Sequence, residues 1–268
     1  TKMKNVKFAK ITGAGNDFII IDNRKRIVKK PKEFAMDVCD RKMSVGADGV
    51  LLLEKSKIAD FKMRIINADG SEAEMCGNGI RCIALYSFVK KISGKKMIIE
   101  TLAGLKKVKI MNLKDAYINV NIGKPIGLKL NIKIKVKGKV FTGYFINTGV
   151  PHTIIFDNRI PVKEIGRKIR FHKIFKPAGT NVDFVKVLSK NKIKVRTYER
   201  GVEDETCACG TGATASAFIT NILKKTKFPV KVITSGGEIL TIDSDKKDNL
   251  HMAGKVKYIC GGTLYKEV

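Results

Sequence analysis

Two short stretches of the chain carry residue types whose spacing could do chemistry. Met75-Cys76-Gly77-Asn78-Gly79-Ile80-Arg81-Cys82 lies in the first half, and Ala208-Cys209-Gly210-Thr211-Gly212-Ala213-Thr214 in the second. Each reads Cys-Gly-polar-Gly, then runs into small and apolar residues suited to a helix. Each also has a glutamate four positions before the cysteine, Glu72 and Glu205. A cysteine just ahead of a helix sits among backbone N–H groups that lack intrahelical partners, at the positive end of the helix dipole. Those features lower a thiol's pKa and cradle an anion such as a carboxylate. One such thiol reads as a nucleophile. Two, one from each half, read as a pair facing one carbon from both sides: a thiolate removes a proton and the opposite thiol returns one to the other face. The N–H groups of both helices would hold a neighbouring carboxylate as charge builds on it.

The remaining cysteines invite plainer readings. A buried structural role is the commonest fate of a single cysteine, and it is the expectation for Cys39, Cys82 and Cys260. Cys207 has no counterpart in the first half and reads as a bystander. Cys207-Ala208-Cys209 lacks the two-residue spacer of a zinc site, and the chain has only three histidines, so no metal is expected. A disulfide between Cys76 and Cys209 would need oxidising conditions.

The elements that must position these loops repeat along the chain. Cys76 and Cys209 stand 133 positions apart, and so do Gly46 and Gly179. Phe8 to Thr12 reads as a strand ending in Gly13-Ala14-Gly15-Asn16-Asp17, with the apolar run Phe18 to Ile21 behind it. Pro31 to Arg41 has the pattern of a short amphipathic helix, Val50 to Leu53 of a buried strand, and Phe61 to Ile66 of an alternating strand that stops at the turn Asn67 to Ser71. Ile80 to Val89 has the apolar content of a buried helix, and Lys96 to Ile122 reads as several strands. Gly123-Lys124-Pro125-Ile126-Gly127 is the best candidate linker.

The order then recurs. Phe145 to Asp157 mirrors Ile11 to Asp22, Ile160 to Ile169 looks helical, and Gly179 to Val185 mirrors Gly46 to Leu52. Val195 to Gly201 takes the place of the strand and turn around Asn67, and a helix over Ala213 to Leu223 follows the second cysteine. A duplicated α/β unit is the reading, with strands preceding one central helix in each half. The expected halves are 1–122, completed by a C-terminal strand over 258–268, and 123–257.

The totals suit a soluble globular protein: 44% hydrophobic and 29% charged over 268 residues. No apolar run approaches the ~18–20 residues that span a bilayer. Thr1 to Lys10 interleaves lysines with single apolar residues and lacks the apolar stretch of a signal peptide, so the expected compartment is the cytoplasm. Lysine and arginine outnumber acids 53 to 25, a net charge of +28. Such an excess suggests nucleic acid or anionic surfaces. The lysines are scattered, however, and often alternate with apolar residues, as in Leu128 to Lys137, which reads as a half-buried strand with a lysine outer face. A solvated surface is therefore the better reading, and nucleic acid is not an expected partner.

Taken together, the motifs Gly13-Ala14-Gly15-Asn16-Asp17-Phe18, Asn67-Ala68-Asp69-Gly70-Ser71-Glu72, Cys76 to Cys82, Gly179-Thr180-Asn181-Val182, Tyr198-Glu199-Arg200-Gly201 and Ala208 to Gly212 resemble the diaminopimelate epimerases over essentially the whole length. The resemblance implies a cofactor-independent isomerase, free of pyridoxal phosphate. It would interconvert LL- and meso-diaminopimelate for lysine and peptidoglycan precursor biosynthesis, as a homodimer in the cytoplasm. It also implies an α/β (α+β) fold of two pseudo-symmetric halves, each a strand-rich, barrel-like sheet around a central helix, with the active site in the cleft between them. Cys76 and Cys209 would be the acid/base pair, and Gly77, Asn78, Gly210 and Thr211 would hold the reacting carboxylate. Asn16, Asn67, Asn181, Glu199 and Arg200 would recognise the distal amino-acid end; an arginine can clamp a carboxylate bidentately. His152 and Glu199 match positions that tune the thiols. Two departures bear on the distal end: many relatives carry Asn where this chain has Val150, and Gln where it has Gly49. Asn147 is a candidate substitute for the first.

The nearest rival is a racemase of the same fold acting on another amino acid. Proline-racemase-like chains carry Cys-Gly-His-Gly at the first loop, where this chain has Asn78, and phenazine-pathway relatives lack the cysteine pair. A basic nucleic-acid-binding protein is the rival from another class. It would require salt-sensitive binding, and the chain offers no recognised motif for it.

Overall fold

The structure, a computed structural model, describes residues 4–157 and 159–266. It divides into two compact units, Thr1–Val120 with Gly254–Val268, and Asn121–Ala253.

In the first unit, β1 (Lys4–Gly13) and β2 (Asn16–Asp22) form an antiparallel hairpin. Its two-residue turn is Ala14-Gly15, with φ of 50° and 87°, as a tight hairpin requires. Helix α1 (Pro31–Val38) leads to β3 (Gly49–Glu54), which lies parallel to β2 and antiparallel to β4 (Phe61–Asn67). A two-residue strand, β5 (Glu72–Ala73), pairs with β4 and delivers the chain to α2 (Gly77–Val89). Then β6 (Lys96–Thr101) returns parallel to β4, and β7 (Gly104–Asn112) and β8 (Tyr117–Gly123) continue the ladder antiparallel.

The second unit repeats this order. β9 (Ile126–Val136) and β10 (Lys139–Asn147) are antiparallel, and β11 (Pro151–Ile155) follows. Helix α3 (Val162–Arg170) precedes β12 (Asn181–Ser189), parallel to β11. β13 (Lys192–Glu199) and the short β14 (Asp204–Thr206) lead into α4 (Gly210–Ile222). β15 (Val230–Ile233), β16 (Ile239–Ser244) and β17 (Leu250–Lys255) complete it, β15 running parallel to β13. The last strand, β18 (Lys257–Lys266), pairs antiparallel with β1. It therefore does for the first unit what β9 does for the second. Residues 267 and 268 of the expected strand 258–268 lie outside the described residues.

Each central helix is built mainly of apolar and small residues and is buried nearly throughout: α2 from Gly77 to Ser87, α4 over most of its length. A helix buried on every side needs cover on every side. α2 packs against β1, β2, β3, β4 and β7, and α4 against β10, β11, β12, β13, β15 and β16, so each sheet wraps its helix. The outer face of each sheet carries a second layer. Phe34, Ala35 and Val38 of α1 pack on Ile19, Ile21, Val50 and Leu52, and Val162 and Ile169 of α3 on Val182, Phe184 and Tyr198. Both faces of β2 are thus covered, which is why Phe18 to Ile21 reads as a continuous apolar run rather than an alternating one.

Three expectations need correction. Leu128 to Lys137 is not a half-buried strand throughout: only Ile134 and Val136 are buried, while Leu128 and Leu130 are exposed. A bulge is the cause. Asn131 adopts φ 57°, and the pairing steps from Gly143↔Ile132 to Phe145↔Lys129, so one extra residue turns the leucines away from the core. The linker shrinks to Lys124 and Pro125, because β8 runs to Gly123 and β9 starts at Ile126. Cys260 is exposed rather than buried; Cys39 and Cys82 are buried.

Candidate active site

In the first unit, Cys76 is the N-cap of α2, extended at φ −136° and ψ 120°, and its sulfur accepts the Gly79 N–H at 3.3 Å. The cap closes because Cys76 O also receives the Ile80 N–H at 2.9 Å. No acid occupies the first turn, so the helix start is left for an anion. The β1–β2 hairpin lies close to this turn: a Cβ at Gly13 would sit 2.9 Å from Val256 Cγ1 and 3.2 Å from Cys82 Sγ.

Asn16, immediately after the hairpin, enters a polar chain. Its Oδ1 accepts from Asn78 Nδ2 at 2.7 Å, and its Nδ2 donates to Asp48 Oδ2 at 2.9 Å. Arg81, fully buried, donates to Asn78 Oδ1 at 2.9 Å. Asp48 in turn shares Arg41 with Asp17. Burial acts to raise the Asp17 carboxyl, and its hydrogen bonds to Arg41 and Lys10 outweigh that and hold it below the usual range. Asn67 closes its own turn, donating from Nδ2 to Ser71 Oγ at 3.0 Å. Gly49 has no room for a side chain: a Cβ there would stand 2.8 Å from Ile66 O.

In the second unit, Cys209 is the N-cap of α4, at φ −120° and ψ 112°. Its sulfur lies 3.4 Å from Thr211 Oγ1. Thr211 Oγ1 is 2.9 Å from His152 Nε2, and His152 Nδ1 is 2.7 Å from Asp183 Oδ2. Thr197 donates to Asp183 Oδ1 at 2.6 Å. His152 and Asp183 are fully buried. Thr148 Oγ1 donates to Thr211 O at 3.0 Å, tying the loop after β10 to the helix start.

The other expected residues of this unit surround that chain. Glu199 accepts from Thr206 Oγ1 at 2.9 Å, and burial pushes its carboxyl up. Asn181 ties β11 to the turn after β13, donating to Pro151 O at 2.9 Å and accepting the Arg200 N–H at 2.7 Å. The Arg200 guanidinium donates to Ala178 O at 3.2 Å. Asn147 Oδ1 accepts the Gly149 N–H at 2.9 Å, in the turn beside Val150.

At Cys209, burial and then the charges of Glu199 and Asp183 push the thiol well up, against weaker help from the Gly212 N–H. The lowering expected of a helix start is outweighed there. Cys39 is pushed up to about 12, mainly by burial, as suits an inert thiol. Among the described residues, no cluster of three or more His, Cys, Asp or Glu is placed to hold a metal.

Sequence reasoning missed Asp183, Thr197, Asp48 and Arg81. A signal for Asp183 exists: it is one acid inside the apolar run Val182 to Val185, and a buried charge requires a partner. The glutamates before the cysteines prove to be braces. Glu72 receives Arg64 Nε and Nη2 at 2.7 and 2.8 Å, and Glu205 receives Arg196 Nε and Nη2 at 2.8 and 2.7 Å. Each fork pins the short strand that leads into its cysteine.

The family model described as diaminopimelate epimerase matches residues 8–127 and 144–259. A diaminopimelate epimerase of Hydrogenobaculum sp. is 42% identical over 278 residues, covering 97% of this chain and 98% of that one. One of Archaeoglobus fulgidus is 40% identical over 274 residues, covering 97% and 96%. Among solved structures, a PhzF-family phenazine biosynthesis protein of Bacillus anthracis superposes with a TM-score of 0.74 at 14% identity, over 98% of this chain and 100% of that chain. A hydroxyproline epimerase of Agrobacterium vitis follows at 0.71 and 14%, over 98% and 92%. Identities this low speak to the fold, which is the one these proteins share. With the matched residues spanning most of its length, and with curated relatives near two-fifths identical end to end, the chain belongs to the diaminopimelate epimerase family.

Proposed function

We propose that this chain is a diaminopimelate epimerase that interconverts the LL and meso forms by moving a proton at one α-carbon between Cys76 and Cys209. The observation that carries the reading is the equivalence of the two thiols. Each is the extended N-cap of its unit's central buried helix, with a Gly-polar-Gly first turn behind it. One sulfur, as thiolate, removes the α-proton; the other, as thiol, delivers one to the opposite face, and the proton count of enzyme and substrate is unchanged. The amides of Gly77, Asn78, Gly210 and Thr211 hold the α-carboxylate as charge develops, the role of pre-aimed donors in any such step. Asn16, Asn67, Asn181, Glu199 and Arg200 recognise the non-reacting end, with His152 and Glu199 setting the protonation of the thiol beside them.

In this reading the chemistry needs no pyridoxal phosphate, because the amide donors and acid–base thiols supply what the step demands. A cytoplasmic homodimer serving lysine and peptidoglycan precursor synthesis belongs to the same reading and rests on the resemblance to the family. The test is turnover of LL-diaminopimelate by single variants. Cys76→Ala and Cys209→Ala should each lose at least about 10²–10⁴-fold in rate, the usual worth of a general acid or base. Near-normal turnover by either would sink the two-thiol assignment.

A further inference from the structure

The two helix starts match in sequence but rest on different side chains. A Cβ added at Gly79 would meet Leu51 Cδ2 at 3.2 Å; one added at Gly212 would strike the Asp183 carboxylate and lie 3.2 Å from His152 Cε1. The parallel ladders set the equivalence. Phe18 pairs with Gly49 in one unit and His152 with Asn181 in the other. Phe18 therefore corresponds to His152, and Leu51, two residues past Gly49, corresponds to Asp183. The first unit fills these positions with a buried apolar pair, so the fold itself does not demand an acid and an imidazole there. A buried ion-forming pair costs stability that an apolar pair does not. Its presence beneath Cys209 alone points to chemistry.

The hydrogen bonds take a single polarity when the His152 proton sits on Nδ1. An ionised carboxylate only accepts. Asp183 takes the Thr197 hydroxyl on Oδ1 and the His152 Nδ1–H on Oδ2. In that tautomer Nε2 accepts, and the Thr211 hydroxyl, 2.9 Å away, donates to it. Thr211 Oγ1 is left with lone pairs toward the Cys209 sulfur at 3.4 Å, so the sulfur can join this chain only by donating S–H. We propose that Asp183 is a positioning residue that, by fixing the His152 tautomer, keeps the resting proton on Cys209 and so makes Cys209 the acid and Cys76 the base before substrate binds. The proposal rests on the two-thiol reading above. The charged groups acting on the Cys209 sulfur are Glu199 from β13 and Asp183 from β12, with His152 of β11 reaching it through Thr211. Both carboxylates oppose a thiolate, in the same sense as the relay. When Cys209 gives its proton to carbon and Cys76 takes one, exchange with solvent restores the resting state.

The test reads each thiol separately. Reduced, intact protein is alkylated with iodoacetamide across a pH series, and Cys76 and Cys209 are followed by peptide mass spectrometry. Cys76 should label at lower pH than Cys209. Asp183→Asn, which removes the charge and permits the other tautomer, should speed Cys209 labelling at neutral pH about tenfold, equivalent to one pKa unit, without changing Cys76. Thr211→Ser should behave as the parent, and in Thr211→Val the Asp183→Asn effect should fall sharply, leaving only what the Asp183 charge exerts directly on the sulfur. An unchanged Cys209 rate in Asp183→Asn overturns the proposal. So does an effect of undiminished size in Thr211→Val, which would mean that the charge acts wholly through space. Should Asp183→Asn fail to fold, ¹⁵N shifts of the ring nitrogens in the parent decide: His152 protonated at Nδ1 supports the relay, and protonated at Nε2 alone overturns it. Turnover by Cys209→Ala bears on the two-thiol reading alone, so the two failures are distinguishable.

Discussion

The Glu199 carboxyl is half-buried and accepts the Thr206 hydroxyl. Burial raises it above its ordinary value of 4.5, and the Asp183 charge adds to that. The folded chain therefore holds this proton more tightly than the unfolded chain. Its contribution to stability is fully present below the unfolded value and is lost as pH rises through the folded one. Glu199→Gln should then melt at a higher temperature than the parent at about pH 8 and lose that advantage near about pH 4, measured by thermal unfolding across pH. A variant less stable at every pH would show that the carboxylate is favoured where it lies. At this scale the sequence is uneven. Cys76 and Cys209 stand out because their loops recur at one offset. Asp183 does not, since its partner His152 is 31 residues away and only the parallel pairing of β11 and β12 unites them. Asn67 reads as a ligand group from its motif, and the bond from its Nδ2 to Ser71 Oγ is visible only in the folded turn.

The helix starts make an element-level prediction, because their glycines face different neighbours. Gly79→Ala would press on the flexible end of Leu51, which can move. Gly212→Ala would press on a carboxylate fixed by Thr197 and His152. Overpacking a rigid site costs roughly 1–3 kcal/mol, so in denaturant titrations Gly212→Ala should lose stability on that order while Gly79→Ala loses clearly less. Equal losses would contradict the rigidity argued for Asp183. Most elements are legible in the sequence: the buried helices from their unbroken apolar faces, β2 and β3 from their apolar runs, and the second unit from the duplication. The bulge at Asn131 is not, because the Leu/Lys alternation continues through it unchanged while the backbone takes an extra residue. The strands β15, β16 and β17 offer no motif of their own and become legible only as counterparts of β6, β7 and β8.

At the scale of the molecule, each unit is a sheet wrapped round one buried helix whose first turn begins at a cysteine. The chain's end supplies β18 to the first unit, a completion set by long-range pairing rather than by local pattern. The net charge of +28 spreads over strands and loops along the whole chain. What the whole chain is proposed to do can be read in one experiment. Reduced protein, with chelator present, is incubated with LL-diaminopimelate in D₂O and followed by proton NMR. The account predicts loss of a single α-proton signal with appearance of the meso isomer, deuterated at the inverted carbon, while the other stereocentre keeps its proton. No exchange, with the thiols confirmed reduced, would contradict it.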